Sequence, residues 1–187
     1  CLIVHHSRLT PALLRELGVR AAVVSGNLTG FEHYPEESLA GLRATFRKVP
    51  CPILAICGGH QLLAQTYGVE IGPMGTLPFT ITDPYVDTPF RGLKQERGFA
   101  PLRIRQAHPL LHGLGPEAVF FFLHYWEVKA VPDGFDVLAE SQSCAVQVLA
   151  HTHLPLFSTQ FHPERYDDAH PDGQTLLYNF FHIAGVI

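Results

Sequence analysis

With 187 residues, 47% of them hydrophobic, the chain is long enough to bury one substantial core, and a single domain over residues 1–187 is expected. A formal charge of −4, with 16% charged residues and no run of Lys or Arg, excludes the electrostatic footprint of a nucleic-acid or anionic-membrane binder. No apolar stretch approaches the roughly 18 residues of a spanning helix, and the start lacks a basic region followed by an apolar one, so a soluble, cytoplasmic protein is expected.

In chain order, Leu2-Ile3-Val4 reads as a short strand. Thr10 caps a helix with Pro11 in its first turn, Leu13, Leu14 and Leu17 as its apolar positions, and Gly18 at its end. Ala21-Ala22-Val23-Val24 reads as a second strand. The next helix runs from Pro35 to about Lys48, with Glu36 and Glu37 at its positive end, Arg47 and Lys48 at its negative end, and Leu39, Leu42 and Phe46 on one face. Pro52 to Ile56 follows as a buried strand. This alternation predicts a parallel sheet with crossover helices. Beyond Gly72, Pro- and Gly-rich connections separate short β runs at Phe79-Thr80-Ile81, Leu102-Arg103-Ile104 and Val119 to Leu123, a texture that predicts more antiparallel pairing. Three further runs lie around Val137-Leu138, at Ala145 to Ala150 and at Leu156 to Phe161. A last helix begins near Asp172 and buries Leu176, Leu177, Phe180 and Phe181.

The four cysteines, Cys1, Cys51, Cys57 and Cys144, form no CxxC pair, so neither a zinc knuckle nor a disulfide framework is indicated. The twelve histidines include no HExxH, and the nearest approach to ligand spacing is His151-Thr152-His153, so no metal is expected. Cys57 stands apart because it falls where a buried strand gives way to a helix. Such a turn pushes a side chain out of the sheet and needs small neighbours, here Ala55 and Gly59. A helix N-terminus also favours anions and offers free backbone N–H groups. A cysteine nucleophile needs a base, and the base needs an orienting partner. Ser158-Thr159-Gln160-Phe161-His162-Pro163-Glu164 supplies both at the end of a β run, with Pro163 fixing a local turn.

Ala55-Ile56-Cys57-Gly58-Gly59-His60-Gln61-Leu62-Leu63-Ala64, taken with Ser158 to Glu164, resembles the paired signature of the class I glutamine amidotransferases, in the family's order. Val23-Val24-Ser25-Gly26 resembles the strand and turn before that family's oxyanion loop, and Pro132 to Ala139 resembles a later stretch, so the likeness spans nearly the whole chain. Its run of motifs is most similar to separate glutaminase subunits of the GMP synthetase type. The resemblance implies a flavodoxin-like three-layer α/β fold, with a central mostly parallel sheet, helices on both faces and an additional antiparallel β portion. It implies a glutaminase with Cys57 as nucleophile, His162 as base and Glu164 as its orienting partner, acting through a cysteinyl thioester. Gly58 and the Gly26-Asn27 turn would form the oxyanion hole. Gln61, His124 and Tyr125 would contact glutamine. Ammonia would pass to a synthetase partner, with no organic cofactor or metal.

The chain departs from the family at three places. Asn27 stands where relatives often have glycine, which is compatible with a working oxyanion hole and equally with a resting conformation that awaits a partner. Tyr125-Trp126 follows the matching His124 but itself matches nothing, and reads equally as packing or as a docking element. One strand-helix unit of the family is also expected to be lacking before Leu2-Ile3-Val4. Pro73 to Gln95 has no assignable counterpart. Two other functions remain open on this reading: a stand-alone γ-glutamyl hydrolase and a non-catalytic regulatory domain.

Overall fold

The computed structural model describes residues 1–27, 29–78 and 91–187. Among them lie strands β1 (Ala22–Val24), β2 (Ile53–Ile56), β3 (Ile71–Pro73), β4 (Glu96–Ile104), β5 (Glu117–His124), β6 (Trp126–Val128), β7 (Phe135–Glu140), β8 (Val148–His151) and β9 (Leu156–Thr159). The helices are α1 (Pro11–Glu16), α2 (Glu36–Lys48), α3 (Gly58–Thr66) and α4 (Asp172–Ile183). The helix signals act as expected: the Thr10 hydroxyl accepts from the Leu13 N–H at 3.1 Å, and Gly18 closes α1 with φ 59°. No described helix is long and apolar enough to cross a membrane.

Seven strands form one sheet in the order β1-β2-β9-β8-β7-β4-β5, and β3 and β6 make a separate antiparallel ribbon. All four residues of β2 are buried because helices cover both faces of the sheet. Ile53 and Ala55 pack with Leu39, Leu42 and Phe46 of α2 and with Leu62 and Leu63 of α3. Leu54 and Ile56 point the other way, toward Leu176 and Phe180 of α4 and Phe120 and Phe122 of β5. This two-sided burial makes the three-layer, flavodoxin-like α/β arrangement anticipated above.

Parallel pairing is confined to β1-β2 and β2-β9, and the other four of the six pairings in the main sheet are antiparallel. The antiparallel portion therefore continues the central sheet instead of forming a body of its own. The cause is loop length: β8 ends at His151 and β9 starts at Leu156, a connection that closes a hairpin, whereas a parallel return needs a crossover of a dozen or more residues.

Leu2-Ile3-Val4 is not a strand. Leu2 is 66% and Ile3 94% exposed, so this short run gains neither a ladder partner nor burial. β8 begins at Val148, later than the expected Ala145, because residues 141–144 form a turn closed by the Ser141 N–H on the Cys144 carbonyl and the ladder shifts register near Val137 and Ala139. β4 starts at Glu96, well before Leu102; Gly98 at φ 89° and Pro101 hid its first half from propensity. The expected run at Phe79-Thr80-Ile81 lies outside the described residues.

Candidate active site

Parallel neighbours deliver their C-terminal ends to one edge of a sheet, and in open α/β sheets that edge is where ligands bind. Here β1 leads into Ser25-Gly26-Asn27, β2 into Cys57, and β9 into Gln160 to Glu164. Cys57 sits at φ 51°, ψ −106°, a conformation a non-glycine residue adopts only when its surroundings enforce it. The enforcement is visible: the Cys57 N–H donates to the Thr159 carbonyl at 2.7 Å, and its own carbonyl accepts from the Gln61 N–H at 3.1 Å in the first turn of α3. The two small neighbours are needed as anticipated, since a Cβ on Gly59 would stand 2.8 Å from the Val24 carbonyl oxygen and 3.4 Å from the Ala55 methyl.

Gly26 is wedged against the same centre. A Cβ there would lie 3.0 Å from Cys57 Cβ, 3.3 Å from His162 Cε1 and 3.6 Å from Cys57 Sγ. His162 Nδ1 meets Glu164 Oε1 at 2.6 Å, which leaves Nε2 as the ring nitrogen available to Cys57. Burial opposes charging of His162, but hydrogen bonds and charge from Cys57 and Glu164 outweigh it and raise its pKa to about 9. The turn that carries this pair is pinned twice: the His162 N–H donates to the Phe121 carbonyl at 2.8 Å, and Gly173 of α4 packs so closely on Pro163 that a Cβ there would be 2.2 Å from the Pro163 oxygen. The structure thus brings Cys57, His162 and Glu164 together.

Asn27 and Gly58, both expected at an oxyanion hole, are in contact. A Cβ on Gly58 would fall 1.5 Å from the Asn27 carboxamide oxygen and 3.0 Å from the Asn27 backbone nitrogen, so a side chain at 58 would displace the Asn27 carboxamide. Beside Cys57 opens a cavity of about 890 Å³, in the size range of small-molecule sites, whose walls include Asn27, Glu32, Gln61, Arg97, Leu123 and Tyr125. Burial, then the charges of Glu32 and Cys57, push the Tyr125 hydroxyl above its usual range, so this side chain feels the nucleophile across the cavity. His124 also borders the cavity, but its ring is 2% exposed and tied on both sides, Nδ1 to the Trp126 carbonyl at 3.0 Å and Nε2 to Glu96 at 2.8 Å. A second cavity of about 820 Å³, against α4 and residues 104–114, shares no wall with the first and contains no cysteine.

Sequence reasoning missed two residues here. Gln160 is fully buried with its Nε2 3.8 Å from Cys57 Sγ, and Glu96 is the carboxylate that holds His124. Gln160, a polar side chain beside Phe161 at the end of a buried β run, carried a weak signal; Glu96 carried none. His60 is wholly enclosed, with Nδ1 2.8 Å from the Ser158 hydroxyl; burial and the nearby His124 press its pKa down to about 3, so it is a neutral packing residue. All four cysteines are free thiols, and the described residues include no group of three or more His, Cys, Asp or Glu that could hold a metal ion.

A cysteine at a strained strand-to-helix turn, beside a His-carboxylate pair on the neighbouring parallel strand of a three-layer α/β protein, is the arrangement that acyl transfer through a thiol requires. Residues 6–184 match the family model of the glutamine amidotransferase class-I, and the chain belongs to that family. It is 35% identical over 173 residues to the glutamine-hydrolyzing GMP synthase of Symbiobacterium thermophilum, a match covering 91% of this chain and 29% of that protein. It is 33% identical to a subunit of the glutamine-hydrolyzing GMP synthase of Pyrococcus abyssi, over 72% of this chain and 61% of that one. The corresponding subunit of Thermococcus kodakarensis is 31% identical over 86% of this chain and 69% of its own length. A crystal structure of a Thermoplasma acidophilum protein assigned as the same GMP synthase subunit superposes with a TM-score of 0.72 at 25% identity, covering 99% of this chain and 81% of that one. The chain spans only part of the length of these relatives, 29% of the first and 61% of the second.

Proposed function

We propose that the chain hydrolyses the side-chain amide of glutamine through a thioester on Cys57 and supplies the ammonia to a synthetase partner of the GMP synthase type. The observation that carries this reading is the convergence of Cys57, His162 and Glu164 at the shared end of β2 and β9, with Gly26 wedged against both sulfur and imidazole. The Cys57 thiolate attacks the amide carbon, and the resulting oxyanion is received by the backbone N–H of Gly58 and another from the Gly26-Asn27 turn, each such donor contributing about 3 kcal/mol in comparable sites. A His162 charged at neutral pH is poised to give its proton to the departing nitrogen, so the C–N bond breaks and ammonia leaves. Neutral His162 then takes a proton from water; hydroxide attacks the thioester, the C–S bond breaks, and glutamate departs from a regenerated thiolate-imidazolium pair. Glu164 orients His162 throughout. Gln61, His124 and Tyr125 line the substrate cavity, Gln61 and Tyr125 as direct contacts.

The test is labelling with the glutamine-like electrophile 6-diazo-5-oxo-norleucine, followed by peptide mass spectrometry. The adduct is expected on Cys57 and is abolished by Cys57→Ser. His162→Ala should lower the glutaminase kcat by about four orders of magnitude, and Glu164→Gln by less. An adduct on Cys51 or Cys144, or an unchanged rate in the His162 or Glu164 variant, would overturn the assignment.

A further inference from the structure

Glu96 is a carboxylate taken out of water, and it faces four donors. One oxygen accepts from the hydroxyls of Ser141 and Ser143; the other accepts from Gln147 Nε2 at 2.6 Å and from His124 Nε2 at 2.8 Å. Its side chain is 13% exposed. Burying a carboxylate is costly unless every oxygen is satisfied, and an apolar pair could fill the same space at less cost. Glu96 does not border the cavity beside Cys57, whereas the residues on either side of it in the chain, Gln95 and Arg97, do. What the buried charge holds is therefore of interest.

From Glu96 a chain of hydrogen bonds leads to the sulfur. A carboxylate and a carbonyl oxygen only accept, so both ring nitrogens of His124 donate, Nε2 to Glu96 and Nδ1 to the Trp126 carbonyl oxygen at 3.0 Å. The same carbonyl accepts from Gln61 Nε2 at 3.1 Å. A carbonyl oxygen only accepts, so it dictates that the Gln61 amide turns its nitrogen toward the protein. The second N–H of that nitrogen goes to Gln160 Oε1 at 3.1 Å, which in turn leaves the Gln160 nitrogen for Cys57 Sγ, 3.8 Å away. Gln61 offers the cavity its carbonyl oxygen, an acceptor matched to N–H groups of a bound amino acid amide, and Gln160 directs an N–H at the sulfur. Glu96 reaches Gln160 by a second route as well, because the backbone carbonyl of Gln147, whose side chain it binds, accepts the Gln160 backbone N–H at 2.8 Å.

We infer that Glu96 is a positioning residue for the reaction: through His124 and the Trp126 carbonyl it fixes which atom of Gln61 faces the substrate and which atom of Gln160 faces the Cys57 sulfur. Burial works against ionisation of Glu96, but hydrogen bonds from His124, Ser141 and Ser143 overcome it and hold the carboxyl below its usual range, in keeping with a permanent acceptor. This inference rests on the glutaminase reading given above.

The experiment measures saturable inactivation of the purified chain by 6-diazo-5-oxo-norleucine, with rates normalised to Cys57 sites that titrate as folded and reactive. Glu96→Leu should lower the second-order inactivation constant by about 10- to 100-fold, the size of effect a small misplacement of reacting groups produces. Both components should move: the half-saturating concentration rises as Gln61 loses its orientation, and the limiting rate falls as Gln160 leaves the sulfur. Glu96→Gln, which keeps an oxygen for His124, should recover most of the loss. A residue that merely stabilised the fold would lower the melting temperature and the number of reactive sites but leave both constants per site at wild-type values, and that result overturns the inference. If Glu96→Leu does not fold, His124→Phe breaks the same relay and is judged by the same constants. Failure of the wild-type chain to label at Cys57 sinks the glutaminase reading and this inference with it, whereas a labelled wild type with unaltered variants removes the inference alone.

Discussion

On the reading proposed above, His162 must hold a proton against burial and give it up to a leaving group. Its pKa of about 9 in the folded chain lies above the ordinary value of 6.5. A group whose folded pKa is raised contributes stability that is complete below its unfolded pKa and disappears as pH climbs through the folded one. The stability difference between the wild type and His162→Gln should therefore be constant below pH 6.5 and shift against the wild type between pH 6.5 and 9. Urea midpoints of the two proteins at pH 6, 7.5 and 9 provide the check, and a difference that does not vary with pH contradicts the imidazolium pairing. Cys57 and the His162-Glu164 pair could be singled out beforehand because each sits within a short contiguous motif. Glu96 and Gln160 were not, because their significance lies in hydrogen bonds to residues far away in the chain, which no local pattern encodes.

At the scale of elements, the site depends on α4 as much as on the strands that carry its residues. α4 begins with its Asp172 carboxylate accepting from the Val119 N–H at 2.7 Å and with Gly173 pressed on Pro163. That contact fixes the turn between His162 and Glu164. A methyl at 173 would meet the Pro163 carbonyl at 2.2 Å, backbone against backbone, so something must shift. Gly173→Ala is expected to cost about 1–3 kcal/mol of stability and to lower turnover per folded molecule. Gly18→Ala is the contrasting variant: its φ of 59° is unfavourable for alanine, yet the space around it is open and it lies at the end of α1. It should destabilise by about 1 kcal/mol with turnover unchanged. Equal kinetic effects of the two substitutions, compared at matched folded fraction, would show that α4 does not set the His162 turn. The element boundaries themselves were read well where helix caps and charge gradients spoke, as at Thr10 and along Glu36 to Lys48, and poorly where Gly98 and Pro101 interrupt a strand that the ladder with β5 nonetheless completes.

For the whole molecule the open issue is coupling to an acceptor. The Asn27 carboxamide lies against Gly58, and Asn27, Tyr125 and Cys57 line one cavity, so on the proposed reading a partner that moves Asn27 or Tyr125 would act on the reaction. Glutamine hydrolysis by the chain alone should run below an ordinary enzymatic rate of about 10 per second. Addition of a GMP synthase-type synthetase partner with its nucleotides should raise it by roughly 5- to 150-fold, the usual range of coupling between sites. Steady-state ammonia release with and without that partner decides the matter; full activity in its absence, unaltered by its presence, favours a stand-alone γ-glutamyl hydrolase. The sequence by itself determined the class of fold, through strand-helix alternation and buried apolar runs, and through two contiguous motifs it singled out Cys57, His162 and Glu164, which the tertiary structure brings together. Periodicity and local motifs are sufficient for such features because they depend on neighbours along the chain. Tertiary structure alone decided that Leu2-Ile3-Val4 is no strand, that most pairings of the main sheet are antiparallel, and that Trp126, Gln61 and Gln160 turn their polar atoms as they do. Pairing and amide orientation are set by which acceptor or strand edge is within reach in space, and that is fixed only when residues distant in sequence are packed together.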